Sequence, residues 1–143
     1  MKIEDQVCSL EQATKLKELG VEQNAGLFYW QWGDLVFGED VDYGEPKQAA
    51  FTVAELGVML PTYNWAVPIF QGEIDVNSEV CQEVRVSVDL LRVATCRIES
   101  LDRNNSWKEI SGITMASAMA DMLIYMIESK IISLSDINAR LSA

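Results

Sequence analysis

"CSLEQATKLKELG", residues 8–20, is the stretch from which the fold is read. Ser9, followed three residues later by Gln12, has the form of a capping box, in which each side chain satisfies a backbone N–H of the other residue at a helix start. Leu10, Ala13, Leu16 and Leu19 recur at helical spacing, and Gly20 suits the left-handed conformation that closes many helices. The stretch therefore predicts an amphipathic helix with solvated polar residues rather than a catalytic motif. The same grammar recurs twice. In "FTVAELGVMLP", residues 51–61, Thr52 and Glu55 take the cap and third position, Phe51 and Leu56 form a hydrophobic staple, and Pro61 stops the segment. In "IISLSDINARL", residues 131–141, Ser133 and Asp136 play the first pair and Ile132 and Ile137 the second.

Between these helices the period changes to two. In "LFYWQW", residues 27–32, Phe28, Trp30 and Trp32 fall on one side and Leu27, Tyr29 and Gln31 on the other. Gly33-Asp34 then offers a two-residue turn into "LVF", which predicts a hairpin with the tryptophan side turned to the core. In "VCQEVRVSVDLL", residues 80–91, Val80, Val84, Val86, Val88 and Leu90 alternate with polar residues, and the extended run continues through Val93 and Ile98. Asn104-Asn105 supplies turn chemistry before "WKEI". The segment from Thr114 to Lys130 predicts a helix that is apolar over most of its circumference. Ser117, Asp121 and Glu128 keep one narrow polar stripe, while Met115, Met119, Met122, Leu123, Met126 and Ile127 read as core, or alternatively as a binding groove. The resulting expectation is one domain over residues 1–143 in the α+β class: an antiparallel sheet made of a hairpin and a meander, with helices packed on one face.

Composition excludes several chemistries. The chain has no histidine, which rules out Ser-His and Cys-His nucleophile pairs, histidine metal sites and histidine proton shuttles. Neither G-x-x-x-x-G-K-[ST] nor G-x-G-x-x-G occurs, so no P-loop or dinucleotide fingerprint is present. The net charge is −11, with 11 acids against 4 bases in residues 1–60. This opposes direct nucleic-acid binding, because phosphate neutralisation supplies most of that affinity. Cys8, Cys81 and Cys96 lack metal-like spacing and read as reduced, buried thiols. "MKIEDQVC" lacks the basic and apolar regions of a signal peptide, and the apolar run from Ala118 to Ile127 is too short to span a bilayer, so a cytoplasmic location and no membrane contact are expected.

The segment Gly38 to Gln48, "GEDVDYGEPKQ", has no apolar periodicity and reads as an acidic loop. Together with Asp34 it gathers Glu39, Asp40, Asp42 and Glu45, five carboxylates within twelve residues without a base. Oxygen-rich clusters can hold calcium or magnesium. Here Asp40-Val41-Asp42-Tyr43-Gly44 lacks the third ligand before the glycine, and Phe51 stands where an EF-hand needs its glutamate. A solvated loop, or a surface that engages a basic partner, is the better reading, with no metal and no cofactor. Trp30 and Trp32 could instead stack on a ligand. Trp65, in the turn-rich "PTYNWAVP", is the tryptophan least explained by packing.

"CSLEQATKLKELGV", "FYW", "AFTVAELGVMLP" and "MLIYMIESKII" followed by "INARL" stand in order along the chain. Together they resemble small uncharacterised acidic proteins encoded by prophages and mobile elements of anaerobic gut bacteria. The resemblance lies in capped helices and core strands, so it implies shared architecture and carries over no catalytic residue. Two functional expectations follow. The first is a non-enzymatic interaction protein of a phage or mobile element, in its sharp form an anti-defence or regulatory inhibitor, whose acidic surface at Asp34, Glu39, Asp40, Asp42 and Glu45 binds a basic or nucleic-acid-binding host protein. The second is a small-ligand binding or sequestering protein with a pocket between sheet and Met-rich helix, lined by Trp30, Trp65 and Tyr125. A carboxylate-metal enzyme using Asp40 and Asp42 is a third, weaker reading. A homodimer through a sheet edge or the Met-rich helix is compatible with the pattern, although repulsion between acidic halves opposes an interface there.

Overall fold

The chain is α+β, with four α-helices and antiparallel sheets among the described residues. A computed structural model describes residues 2–60, 65–70, 73–74, 81–89, 94–100 and 106–142; between residues 65 and 107 its side-chain description is confined to Ala94, Thr95, Cys96 and Ile98. The helices are α1 (Leu10–Leu19), α2 (Val53–Met59), α3 (Met115–Glu128) and α4 (Leu134–Ser142). The strands are β1 (Phe28–Gln31), β2 (Asp34–Phe37), β3 (Gln48–Ala49), β4 (Trp65–Phe70), β5 (Glu73–Ile74), β6 (Cys81–Asp89), β7 (Ala94–Ser100) and β8 (Ser106–Gly112). The stretches holding Pro61 and Asn104-Asn105 lie outside the described residues.

The capping grammar is realised at all three helix starts. Gln12 N–H donates to Ser9 Oγ at 3.2 Å while Ser9 N–H donates to Gln12 Oε1 at 3.0 Å. Thr52 and Glu55 repeat the reciprocal pair, and Asp136 N–H donates to Ser133 Oγ. Gly20 closes α1 at φ 102°, in the left-handed region that favours glycine. On α1, however, Leu10 is exposed and Gln12 is buried, because the helix presents Gln12 as well as Ala13 and Leu16 to the interior.

Hairpin and meander form two sheets, which corrects the expectation of one. The first has the order β2-β1-β3: the second edge of β1 is taken by β3, a strand formed at the end of the stretch that reads as loop. The second has the order β5-β4-β6-β7-β8. Its β7 buries Ala94, Cys96 and Ile98 on alternating positions, and α3 packs on β7 and β8. Met119, Met122, Leu123 and Met126 are buried in the hydrophobic core, so the Met-rich stripe is core. Among the described residues no helix is long and apolar enough to cross a membrane.

The hairpin also turns one residue earlier than Gly33-Asp34 would have it. Gln31 pairs with Asp34, leaving Trp32-Gly33 as the two-residue turn. Both turn residues have positive φ, 54° and 78°, the type I′ signature whose twist matches that of the flanking strands. The shift takes Trp32 out of the strand, and the burial of the two faces is the reverse of that expected: Tyr29 and Gln31 are buried, Phe28 and Trp30 half-buried, and Trp32 is 67% exposed.

Two glycines test the packing of α3 with opposite signs. A Cβ on Gly57, inside α2, would meet nothing nearer than Met119 Cε at 3.8 Å, so Gly57→Ala raises stability by about 0.5–1 kcal/mol through helix propensity. A Cβ on Gly112 would lie 2.8 Å from Ala118 N and 3.1 Å from Ser117 Cβ, where the end of β8 abuts the start of α3. Gly112→Ala therefore lowers stability by about 1–3 kcal/mol. Urea denaturation of the two variants reads both, and shifts of equal sign would contradict the described packing.

Candidate functional site

The acidic loop is a built structure rather than a slack tether. A short 3-10 turn, Gly38–Asp40, follows β2, and Val41 is buried. The chain then returns along the Tyr29 and Gln31 side of the hairpin, held by the Gln31 amide. Gln31 Oε1 accepts from Asp42 N–H at 3.0 Å, and Gln31 Nε2 donates to the carbonyls of Asp42 at 2.8 Å and Glu45 at 3.4 Å. Gln31 is 1% exposed, and these bonds satisfy its polar atoms inside the fold. Asp42 adds a local turn, its Oδ1 accepting from Gly44 N–H at 3.0 Å. Lys47 lies over the rings of Tyr29 and Tyr43, at 5.3 and 4.9 Å from their centroids, and its carbonyl accepts from Lys17 Nζ at 2.7 Å.

This arrangement distributes the five carboxylates over the hairpin instead of focusing them. Asp34 stands beside the turn, opposite Gln31, and the Gln31 bonds bring the Asp42 and Glu45 backbone to that end. Glu39 and Asp40 sit at the other end, next to the pair formed by Leu27 and Gly38. All five are exposed. Among the described residues no three acidic or cysteine side chains come together as a metal site would require. Between and beside the carboxylates stand exposed apolar side chains: Leu27, Phe37, Trp32 and Tyr43 are 54%, 44%, 67% and 75% exposed. Phe37 meets Phe28 edge to face at 5.3 Å between centroids. The surface is thus a mixed one, aromatic anchors framed by acids.

The three aromatic residues expected to line a pocket belong to different elements, Trp30 to β1, Trp65 to β4 and Tyr125 to α3. Trp30 Nε1–H donates to the Cys8 carbonyl at 3.0 Å, tying the hairpin to the residue before the α1 cap. Tyr125 is half-buried on α3 with Lys108 Nζ 4.8 Å above its ring. Trp65 begins β4, paired with Val84, rather than lying in a turn; its side chain is outside the described residues. Neither of two surface grooves is lined by Trp30 or Tyr125. The larger, about 850 Å³, runs between α1 and α3 past Gln12, Lys15, Ser117 and Asp121. Its floor is already bonded: Gln12 Nε2 donates to Ser117 O at 2.9 Å, Ser117 Oγ at 3.1 Å and Asp121 Oδ1 at 2.8 Å, and Lys15 pairs with Glu128 at 3.8 Å. The polar stripe of α3 is therefore the seat of α1, and the groove is the open lip of a helix seam. A smaller groove, about 290 Å³, lies at the α3–α4 connection.

Tyr43 is a functional candidate that sequence reasoning missed, and Trp32, weighed there as a stacking residue of the strand, stands instead in the turn, exposed. The signal for Trp32 was present in Trp32-Gly33 directly after an alternating run, had the turn been placed one residue earlier. No protein-family model, no curated protein and no solved structure matches the chain.

Two predictions follow from the buried groups around this surface. Gln12→Met keeps the length of the side chain but leaves Ser9 N–H and Asp121 without their partner, so it lowers stability by about 1–3 kcal/mol, read by chemical denaturation. Burial pushes the Cys8 thiol from 9.0 up to about 12. The unfolded chain therefore binds fewer protons than the folded one between these values, and stability falls as pH rises through that window, by up to about 1.4 kcal/mol per unit. Tyr29, raised from 10.0 by burial, contributes with the same sign. Cys8→Ala flattens the fall measured by denaturation from pH 8 to pH 11 or so; an unchanged slope would contradict the assignment.

Proposed function

We propose that the chain is a non-enzymatic interaction protein that binds a basic partner protein through the β1–β2 hairpin and the acidic loop laid along it. The observation that carries this reading is Trp32. A type I′ turn favours Asn-Gly, and a bulky residue at positive φ costs about 1–2 kcal/mol. This turn holds a tryptophan at φ 54° with 67% of its surface in solvent, where it earns nothing from the core. Backbone strain of this kind gathers at binding sites, and tryptophan is among the residues that dominate interface energies. The carboxylates around it supply the complementary half. A rim of one sign speeds encounter with a partner of the other sign and disfavours partners of like charge.

Within this reading the mobile-element resemblance supports an inhibitor of a host protein, since blocking a basic working surface requires shape and charge and no catalytic group. Trp32→Asn separates binding from folding. It relaxes the turn and raises stability by about 1 kcal/mol, while salt-sensitive capture of the partner from nuclease-treated host lysate is lost. Charge reversal of Glu39, Asp40 and Asp42 together abolishes capture without unfolding the chain. Retention of the same partner by both variants would refute the proposal.

A further inference from the structure

We infer that the partner segment is extended and basic, and that it adds as a further strand on the open edge of β2; this rests on the reading of the hairpin as a partner-binding surface. The phase of the ladder identifies which backbone groups are free. Ala50 N–H donates to the Phe28 carbonyl, so Phe28 and Trp30 turn their backbone groups to β3, and Tyr29 and Gln31 turn theirs to β2. Gly38 N–H donates to the Leu27 carbonyl at 2.8 Å, the continuation of the same phase. The bonded pairs are therefore Leu27 with Gly38, Tyr29 with Val36, and Gln31 with Asp34. Leu35 and Phe37 face away, and among the described residues the Leu35 N–H and C=O and the Phe37 N–H meet no other strand, while the Phe37 carbonyl opens the 3-10 turn Gly38–Asp40. An open edge of this kind is what strand-addition complexes use.

The two faces of β2 specify the incoming strand. On one face Phe37 and Leu35 stand beside Phe28 and Trp30, all half-buried or exposed. On the other, Asp34 and Val36 stand beside Gln31 and Tyr29, over which the loop carrying Asp42 and Glu45 is held. Successive residues of an added strand point to opposite faces. An occupant with apolar residues at alternate positions and lysine or arginine between them meets both at once. A second copy of this chain would set acids against acids, so the edge suits a basic partner.

The test uses the full-length protein with two synthetic peptides of identical composition, one alternating lysine and valine, the other with its lysines and valines in separate blocks. Amide hydrogen exchange and chemical shifts are followed by nuclear magnetic resonance. Binding of the alternating peptide with protection of the Leu35 and Phe37 amides supports the inference. Leu35→Pro removes one outward N–H while leaving the β1–β2 ladder intact, and it weakens that binding at least about fivefold. Should this variant fail to fold, the exchange result on the native chain still decides. Equal binding of both peptides around Trp32 without protection of these amides overturns strand addition and leaves the proposed function standing. Binding of neither peptide overturns both. Protection that appears without peptide and grows with protein concentration overturns the basic partner and makes a second copy the occupant.

Discussion

One primary amide fixes the first helix in the fold. Gln12 closes the cap of α1 with its oxygen and, with its nitrogen, seats that helix on Ser117 and Asp121 of α3. Because α3 is the element that covers β7 and β8, the position of α1 is referred through this side chain to the larger sheet. Cys8 precedes the cap directly, and its carbonyl receives the Trp30 indole, so the hairpin is referred to the same point. The bonds are part-buried, and in such surroundings a satisfied polar group specifies one arrangement and an unsatisfied one is costly.

The same device recurs at other described loops. Gln23 Oε1 accepts from Ala49 N–H at 2.7 Å and so anchors β3. Asn138 on α4 accepts from Glu22 N–H and donates to the Gly20 carbonyl, fastening the segment after α1. Gln31 holds the acidic loop. Neutral amides suit this task in a chain rich in carboxylates: they offer donor and acceptor on one group and bring no further charge into the interior. The rigidity of the acidic surface is thus supplied by residues that are themselves uncharged.

What could be read from the sequence was local. Capping boxes at Ser9–Gln12 and Thr52–Glu55 involve residues three apart, and their bonds form as the spacing implies. The α+β class followed from the alternation of periods. Readings that depended on distant contacts went astray for identifiable reasons. Gln12 scored as polar surface because its partners lie more than a hundred residues away. The turn was misplaced because a tryptophan at positive φ contradicts local preference, and the buried face was misassigned because the loop that covers Gln31 is held by bonds eleven residues away. The acidic residues of the candidate site were visible as a charge run, but their spread along a clamped hairpin depends on Gln31, which nothing nearby marks as buried.

Lys47 and Lys17, the bases nearest the acidic loop, are both occupied elsewhere, one over two tyrosine rings and the other on a backbone carbonyl. Lys15 pairs with Glu128, on the helical side of the molecule. Among the described residues no base pairs with the carboxylates of the hairpin, which leaves their charge to be screened by mobile cations from solution. A basic surface that docks there displaces those cations, and the entropy of their return to the bulk becomes part of the driving force for association.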